Sequence, residues 1–330
     1  MDPLPVPCLA LQPQQHSLDA VKTTLFNIKG QDIGCGLDGM TNNSKFWVTP
    51  RGWILARDTA SMSTFLFNPR NPDEKIQLPH LTEDLRTTCA CLLSCKPTLP
   101  GCTVLLVEPN ATVIWQCCVG GKEWARHEHN VGTQLVDPAS DLREKVPMCP
   151  IAACRGKFYF KSESFADIGV LEFSPTPVFS SLKLAGECEV HLDTAKVFLV
   201  ESEEDLYMVG LVDGFGWDLI DLMDYRILVH KMDFSVQQWR RAYDLGGRAF
   251  LLASGYFGAS CSADEHGLKA DCVYMVCPGD TTYLKITSVK DGWIQLMKVP
   301  AAIRALCLLP PLIHSLFFLV KEKGVSRFQR

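Results

Sequence analysis

Five groups of side chains in the sequence have the types and spacing to do chemistry. Gly34-Cys35-Gly36-Leu37-Asp38-Gly39 spells G-x-G-x-x-G, the turn that lets a pyrophosphate meet a helix N-terminus. That use needs a strand before the glycines and a helix after them. Lys29-Gly30-Gln31-Asp32 precedes and Met40-Thr41-Asn42-Asn43-Ser44 follows, so the segment reads as a loop. His127-Glu128-His129 puts two imidazoles on one side of a strand. The zinc-protease pattern instead spaces them by four on a helix, and no third ligand adjoins, so a solvated polar strand or turn is expected. The 15 cysteines include Cys89, Cys91 and Cys95 close together and Cys117-Cys118 adjacent, but no pair of pairs at zinc-finger spacing. Cys89 and Cys91 alternate with Ala90 and Leu92 as strand residues do, and core thiols are the expectation.

Glu201, Glu203, Glu204 and Asp205 lie between two apolar runs and read as a solvated hairpin turn rather than a calcium loop. Gly214-Phe215-Gly216-Trp217 sets two aromatics in a glycine-rich loop. Such aromatics serve as lids over a core or as anchors for a partner, and Phe215 and Trp217 are the candidate partner contacts. Neither a nucleophile elbow nor a phosphate loop occurs. No catalytic residue, cofactor or metal ligand is therefore assigned.

The elements that would carry these groups alternate with a period of two. Apolar and β-branched runs bounded by Gly, Pro, Asn and Asp predict strands over residues 63–68, 103–107, 112–117, 157–161, 197–200, 206–212, 225–233, 248–252, 272–276 and 283–289. Helices are expected only over 81–87, 137–145 and 218–223. First strands of hairpin units recur near residues 54, 104, 157, 197, 249 and 273, mostly in steps of about 40 to 54, the period of a β-propeller. The expected fold is all-β: a propeller of six or seven four-stranded blades, the last irregular, with residues 23–28 joining a terminal blade to close the ring. Asn68-Pro69 and Pro79 should stop strands. Trp53, Trp124, Trp239 and Tyr274 should fill blade cores, and Gly246-Gly247 should allow a turn with positive φ.

Composition bounds the partners. Of 330 residues, 47% are hydrophobic and 21% charged, which excludes a disordered chain or a coiled coil. The net charge of −5, with 32 basic residues against 37 acidic, and the lack of any run of five like charges argue against nucleic acid and anionic membrane as partners. Met1-Asp2-Pro3-Leu4-Pro5-Val6-Pro7 has an acid and prolines where a signal peptide needs positive charge and an apolar helix. The expectation is an intracellular protein, cytoplasmic or nuclear, with reduced thiols. The apolar stretch 305–320 is about 16 residues long and carries Pro310-Pro311. It is too short and too broken for a membrane span and reads as a buried or partner-covered segment.

Several segments resemble the plant KIB-type β-propeller family, often found attached to an F-box. Gly52-Trp53-Ile54-Leu55, then Phe67-Asn68-Pro69 and Lys75-Ile76-Gln77-Leu78-Pro79, are similar to its first blade. Residues 102–107 with Gly120-Gly121-Lys122-Glu123-Trp124 resemble the second, and Gly156-Lys157-Phe158-Tyr159 resembles the opening of the third. Trp239, residues 245–251, Ser260-Cys261-Ser262 and residues 267–274 form the fullest match. The resemblance implies a non-enzymatic module that recognises a protein target. The expected regions are a leader over 1–20 without an F-box, a KIB-type propeller over 21–300, and an apolar then basic tail over 301–330 that departs from the family's last blade and either trails the ring or completes it. Without an F-box, a Skp-type adaptor is not an expected partner. The alternatives are a small-molecule or carbohydrate-binding propeller, favoured if charged groups converge on its axis, and a degenerate paralogue without activity.

Overall fold

The computed structural model describes residues 8–11, 24–27, 44–69, 71–109, 111–137, 142–162, 166–174, 176–186, 194–212, 225–253, 256–277, 283–298, 308–309 and 327–328. Two short strands, β1 (Cys8–Leu11) and β2 (Thr24–Asn27), come first. Blade 1 follows as β3 (Ser44–Val48), β4 (Ile54–Asp58), β5 (Thr64–Asn68) and β6 (Asn71–Leu78). Blade 2 is β7 (Ala90–Leu93), β8 (Thr103–Val107), β9 (Val113–Cys118) and β10 (Ala125–Glu128). A two-stranded excursion, β11 (Thr133–Asp137) and β12 (Leu142–Lys145), leads to blade 3. That blade is β13 (Ile151–Cys154), β14 (Lys157–Lys161), β15 (Asp167–Phe173) and β16 (Pro177–Lys183). Blade 4 is β17 (Thr194–Ser202), β18 (Asp205–Val212), β19 (Arg226–Asp233) and β20 (Gln238–Arg241).

The fifth sheet breaks the pattern. Strands β21 (Arg248–Ala253) and β22 (Phe257–Ser262) form a hairpin, a one-turn helix α1 (Ala263–His266) crosses over, and β23 (Cys272–Cys277), β24 (Tyr283–Ser288) and β25 (Ile294–Lys298) run outward. The short β26 (Leu308–Leu309) pairs with β1, and β27 (Arg327–Phe328) pairs with β25. The order in the fifth sheet is β22-β21-β23-β24-β25-β27, with β21 and β23 parallel.

The fold is therefore an all-β propeller of five blades, not six or seven. Residues 249 and 273, which sequence spacing assigns to two units, are neighbours in one sheet: Phe250 is aligned with Val273. Residues 24–27 pair with β1 in a separate three-stranded sheet, β2-β1-β26. Two expected helices are also corrected. Of residues 137–145, the described ones, Asp137 and Leu142 to Lys145, belong to strands β11 and β12, which pair antiparallel. Residues 81–87 have no helix, because their carbonyls accept from side chains of blade 1: Arg57 Nε reaches Leu81 O at 2.7 Å, Lys45 Nζ reaches Leu85 O at 3.0 Å and Trp47 Nε1 reaches Arg86 O at 2.9 Å. The expected helix over 218–223 lies outside the described residues.

Packing between blades makes the core. Trp53, Trp115 and the thiols Cys89, Cys91, Cys102 and Cys117 fill the space between blades 1 and 2. Trp239 and Tyr159 lie between blades 3 and 4, and Tyr207 meets Phe250 edge-on between blade 4 and the fifth sheet, with centroids 5.0 Å apart. Trp53, Trp239 and Tyr274 are buried, while Trp124 is partly buried and donates to Pro79 O at 2.9 Å. Strands β5 and β6 end at Asn68 and Leu78, beside the prolines expected to stop them. Gly246 and Gly247 both adopt positive φ, and the Asp271 carboxylate accepts from Leu245 N at 2.7 Å and Gly247 N at 3.1 Å.

Candidate functional site

The first strands of blades 1 to 4 and strand β22 lie around the axis. At Gly258 on β22 an added Cβ would fall 2.9 Å from Leu199 O of β17, so this backbone approach excludes any larger residue. Leu92, Leu93, Ala152, Ala153 and Gly258 wall the axial space with Arg51 and Glu201 at one end, and only about 10 Å³ stays open there. That is less than a ligand chamber needs by well over an order of magnitude.

The turns between the first and second strands of blades 1, 3 and 4 gather at one end of the ring, and the acidic turn after β17 is their hub. Glu201 faces Arg51 of blade 1 at 3.7 Å, Asp205 faces Arg155 of blade 3 at 3.4 Å, and Glu203 faces Arg248 of the fifth sheet at 2.9 Å. Arg155 Nε and the Cys154 thiol also donate to Glu204 O, at 2.8 and 3.2 Å. Ser202 and Ser260 join their hydroxyls at 2.8 Å, and Arg248 Nε donates to Ser260 Oγ. The four acidic residues read from sequence as a solvated turn thus tie four blades together. Burial pushes the Cys154 thiol up to about 12, so it stays protonated in this role.

Beside the hub, on blade 4, opens a cleft of about 630 Å³. Asp205 forms part of its floor, shared between Arg155 and Lys231, whose Nζ lies 2.5 Å from Oδ2. The hydrogen bond to Asp205 raises the Lys231 pKa from its ordinary value, so this amine is a fixed cation. Asp233 pairs with Arg240 at 3.1 Å; hydrogen bonding from Ser235 is the main cause that lowers its pKa, and Arg240 adds to it. Three cations stack on aromatic rings: Arg155 over Phe234 at 4.7 Å, Lys231 over Tyr207 at 5.7 Å and Arg241 over Tyr243 at 5.8 Å. Tyr243 is 63% exposed.

Other expected groups fall elsewhere. Phe215, Trp217 and the Gly34–Gly39 stretch (residues 34–39) lie outside the described residues. His127 is half-buried, and His129 is 2% exposed rather than solvated. The two rings pack against Phe173 and Phe179 of blade 3, with centroids 6.2 and 6.3 Å apart, and burial lowers both pKa values. No group of three metal-ligating side chains forms among the described residues. The eleven described cysteines from Cys89 to Cys277 are free thiols. Among the described residues no helix is long and apolar enough to cross a membrane. Sequence reasoning missed the blade 4 cleft. Its signal was the run from Asp233 to Asp244, in which two carboxylates bracket Phe234, Arg240, Arg241 and Tyr243 across a turn.

The profile of the family described as the KIB1-4 β-propeller matches residues 22–297. An F-box/kelch-repeat protein of Arabidopsis thaliana is 28% identical over 137 residues, which are 40% of this chain and 34% of that protein. The match thus spans about a third of the relative's length. Among solved structures, the Cps50 (Swd1) β-propeller domain of Myceliophteria thermophila aligns over 85% of this chain and 91% of its own, at 11% identity and a TM-score of 0.36. A protein from Lactobacillus plantarum aligns over 94% and 82%, at 9% identity and a TM-score of 0.40. Both likenesses are too remote to bear on function.

Proposed function

We propose that this chain, which belongs to the KIB1-4 β-propeller family, is a non-enzymatic module that binds another protein through the loop face bearing the acidic hub. The observation that carries this reading is the packed axis, with about 10 Å³ open between Leu92, Ala152 and Gly258. Among the described residues an axis so filled leaves no axial chamber for a sugar or cofactor, while ion pairs join its turns across blades. Loops fixed on a rigid scaffold commonly carry binding. Similarity to an F-box/kelch-repeat protein supports target recognition as the task, and the free thiols support a reducing, intracellular setting.

Affinity purification of the full chain from plant cells, followed by mass spectrometry, tests this. A reproducible protein partner is expected, lost when Arg155 and Arg240 are reversed in charge together or when the loop holding Phe215 and Trp217 is replaced. A Skp-type adaptor in the same complex would place the chain in ubiquitin transfer. Saturable binding of a sugar or cofactor, with no protein partner, would overturn the reading.

A further inference from the structure

The geometry points to the blade 4 cleft as a docking site for an extended, acidic segment of a partner protein, with an apolar or aromatic side chain seated on Tyr243. This rests on the protein-binding reading above and adds the site and the chemistry of the segment. Layering of charge is the first observation. The carboxylates of Asp205 and Asp233 are 29% and 28% exposed, whereas the cations paired with them, Arg155, Lys231 and Arg240, are 47%, 45% and 61% exposed. The acids lie low and the bases stand over them, so an approaching chain meets positive charge first. Asp205 is also shared by two cations, and the cleft lining sets Arg155, Lys231, Arg240 and Arg241 against Asp205, Asp233 and Asp244. A local basic rim on a chain of net charge −5 favours an anionic ligand at this place and no other partner surface of the same sign.

The second observation is aromatic. Tyr243 is the most exposed large apolar side chain among the described residues, at 63%, and its ring carries Arg241. Asp244 lies beside it and its carboxylate accepts from Gly246 N at 3.2 Å, so acidic character returns at this end of the cleft. The segment is therefore oriented: carboxylates toward Arg155, Lys231 and Arg240, and its apolar residue toward Tyr243. A cleft of about 630 Å³ suits a few side chains of such a segment.

The test is fluorescence anisotropy with the full chain and a fluorescein-labelled decapeptide of glutamates and aspartates around one tyrosine. A twin with every acid replaced by its amide is the control. The acidic peptide should bind, with affinity falling as salt rises, and the twin should not. Arg155→Glu with Arg240→Glu should weaken binding at least about tenfold, as expected for reversed charges at an interface. Arg126→Glu, on exposed blade 2 surface beside Glu128, should leave binding unchanged. Because Arg155 also holds Glu204 O, Arg240→Glu alone and Tyr243→Ala, both at exposed positions, keep the test valid if the double variant misfolds.

Equal binding of the twin, or indifference to Arg240→Glu and Tyr243→Ala, overturns the assignment. So does equal, Arg240-dependent binding of a single-stranded oligonucleotide, which would make the cleft a general polyanion sink. A partner from cells that is retained by these variants also overturns the cleft while leaving the protein-binding reading intact. Capture of no protein at all overturns that wider reading, and the peptide result still decides the cleft.

Discussion

Buried thiols set the first expectations. Desolvation pushes Cys89, Cys117, Cys149 and Cys154 from an ordinary 9.0 up to about 12. In the unfolded chain these thiols lose protons near 9, but in the fold they hold them. The stabilisation is thus complete below about pH 9 and declines as pH rises toward the folded values. Urea denaturation at pH 8, 9 and 10 should show falling midpoints. A flat profile would contradict the burial. Mass-spectrometric mapping after alkylation of the native protein should find Cys95 and Cys118 labelled before the nine buried cysteines of the blades. Asp271 offers a second test. Its carboxylate serves two backbone donors in the Gly246-Gly247 turn from a residue with φ of +53°. Asp271→Ala should cost about 1–3 kcal/mol in denaturant melts, and Asp271→Asn, which tolerates that backbone and keeps an acceptor, should cost less. The glycine pair of this turn was legible because positive φ leaves a compositional mark. The carboxylate that holds it was not, because it comes from 24 residues away.

At the level of elements, strands were readable and their substitutes for helices were not. Runs such as residues 103–107 and 157–161 appear in the structure with the expected bounds, since continuous apolar stretches between turn residues leave few other options. Residues 81–87 looked helical because Leu81 and Leu85, both buried, are spaced by four. Arg57, Lys45 and Trp47 capture the carbonyls that such a helix would have used, and that competition is tertiary. The acidic turn was located correctly and its use was not, because Arg51, Arg155 and Arg248 reach it from three different sheets. Glu203 is 72% exposed, so a double-mutant cycle between it and Arg248 should give a coupling of only about 0.5 kcal/mol, vanishing in high salt. Arg155→Ala should cost more, about 1–2 kcal/mol, because it also removes the stack on Phe234 and the bond to Glu204 O.

For the whole molecule, what decides function is how closely the sheets meet at the axis. Gly258→Val should force β22 from β17 and destabilise the ring by about 1–3 kcal/mol, read as a lower urea midpoint. A panel of sugars and nucleotides should leave the melting temperature unchanged, since nothing that fails to bind the native state can raise it. A propeller was visible in the repeat of hairpins, but the number of blades was not. Counting took the apolar strand near 273 as opening a new sheet although it follows the one near 249 by a shorter step than the others, and β23 instead returns to lie parallel with β21, a pairing that local periodicity does not encode. That return divides the fifth sheet into two pieces. Its inner hairpin is seated on blade 4 through β22, and its outer strands join that hairpin through four aligned residue pairs, from Ala249 with Cys272 to Leu252 with Met275. The crossover at residues 263–271 is thus a natural seam. A chain ending at Gly267 and a second beginning at Leu268, which keeps α1 on one piece and Asp271 on the other, should dock along that ladder when mixed in solution and regain the far-ultraviolet spectrum of the intact protein, a divisible propeller whose unequal pieces find one another without a covalent link.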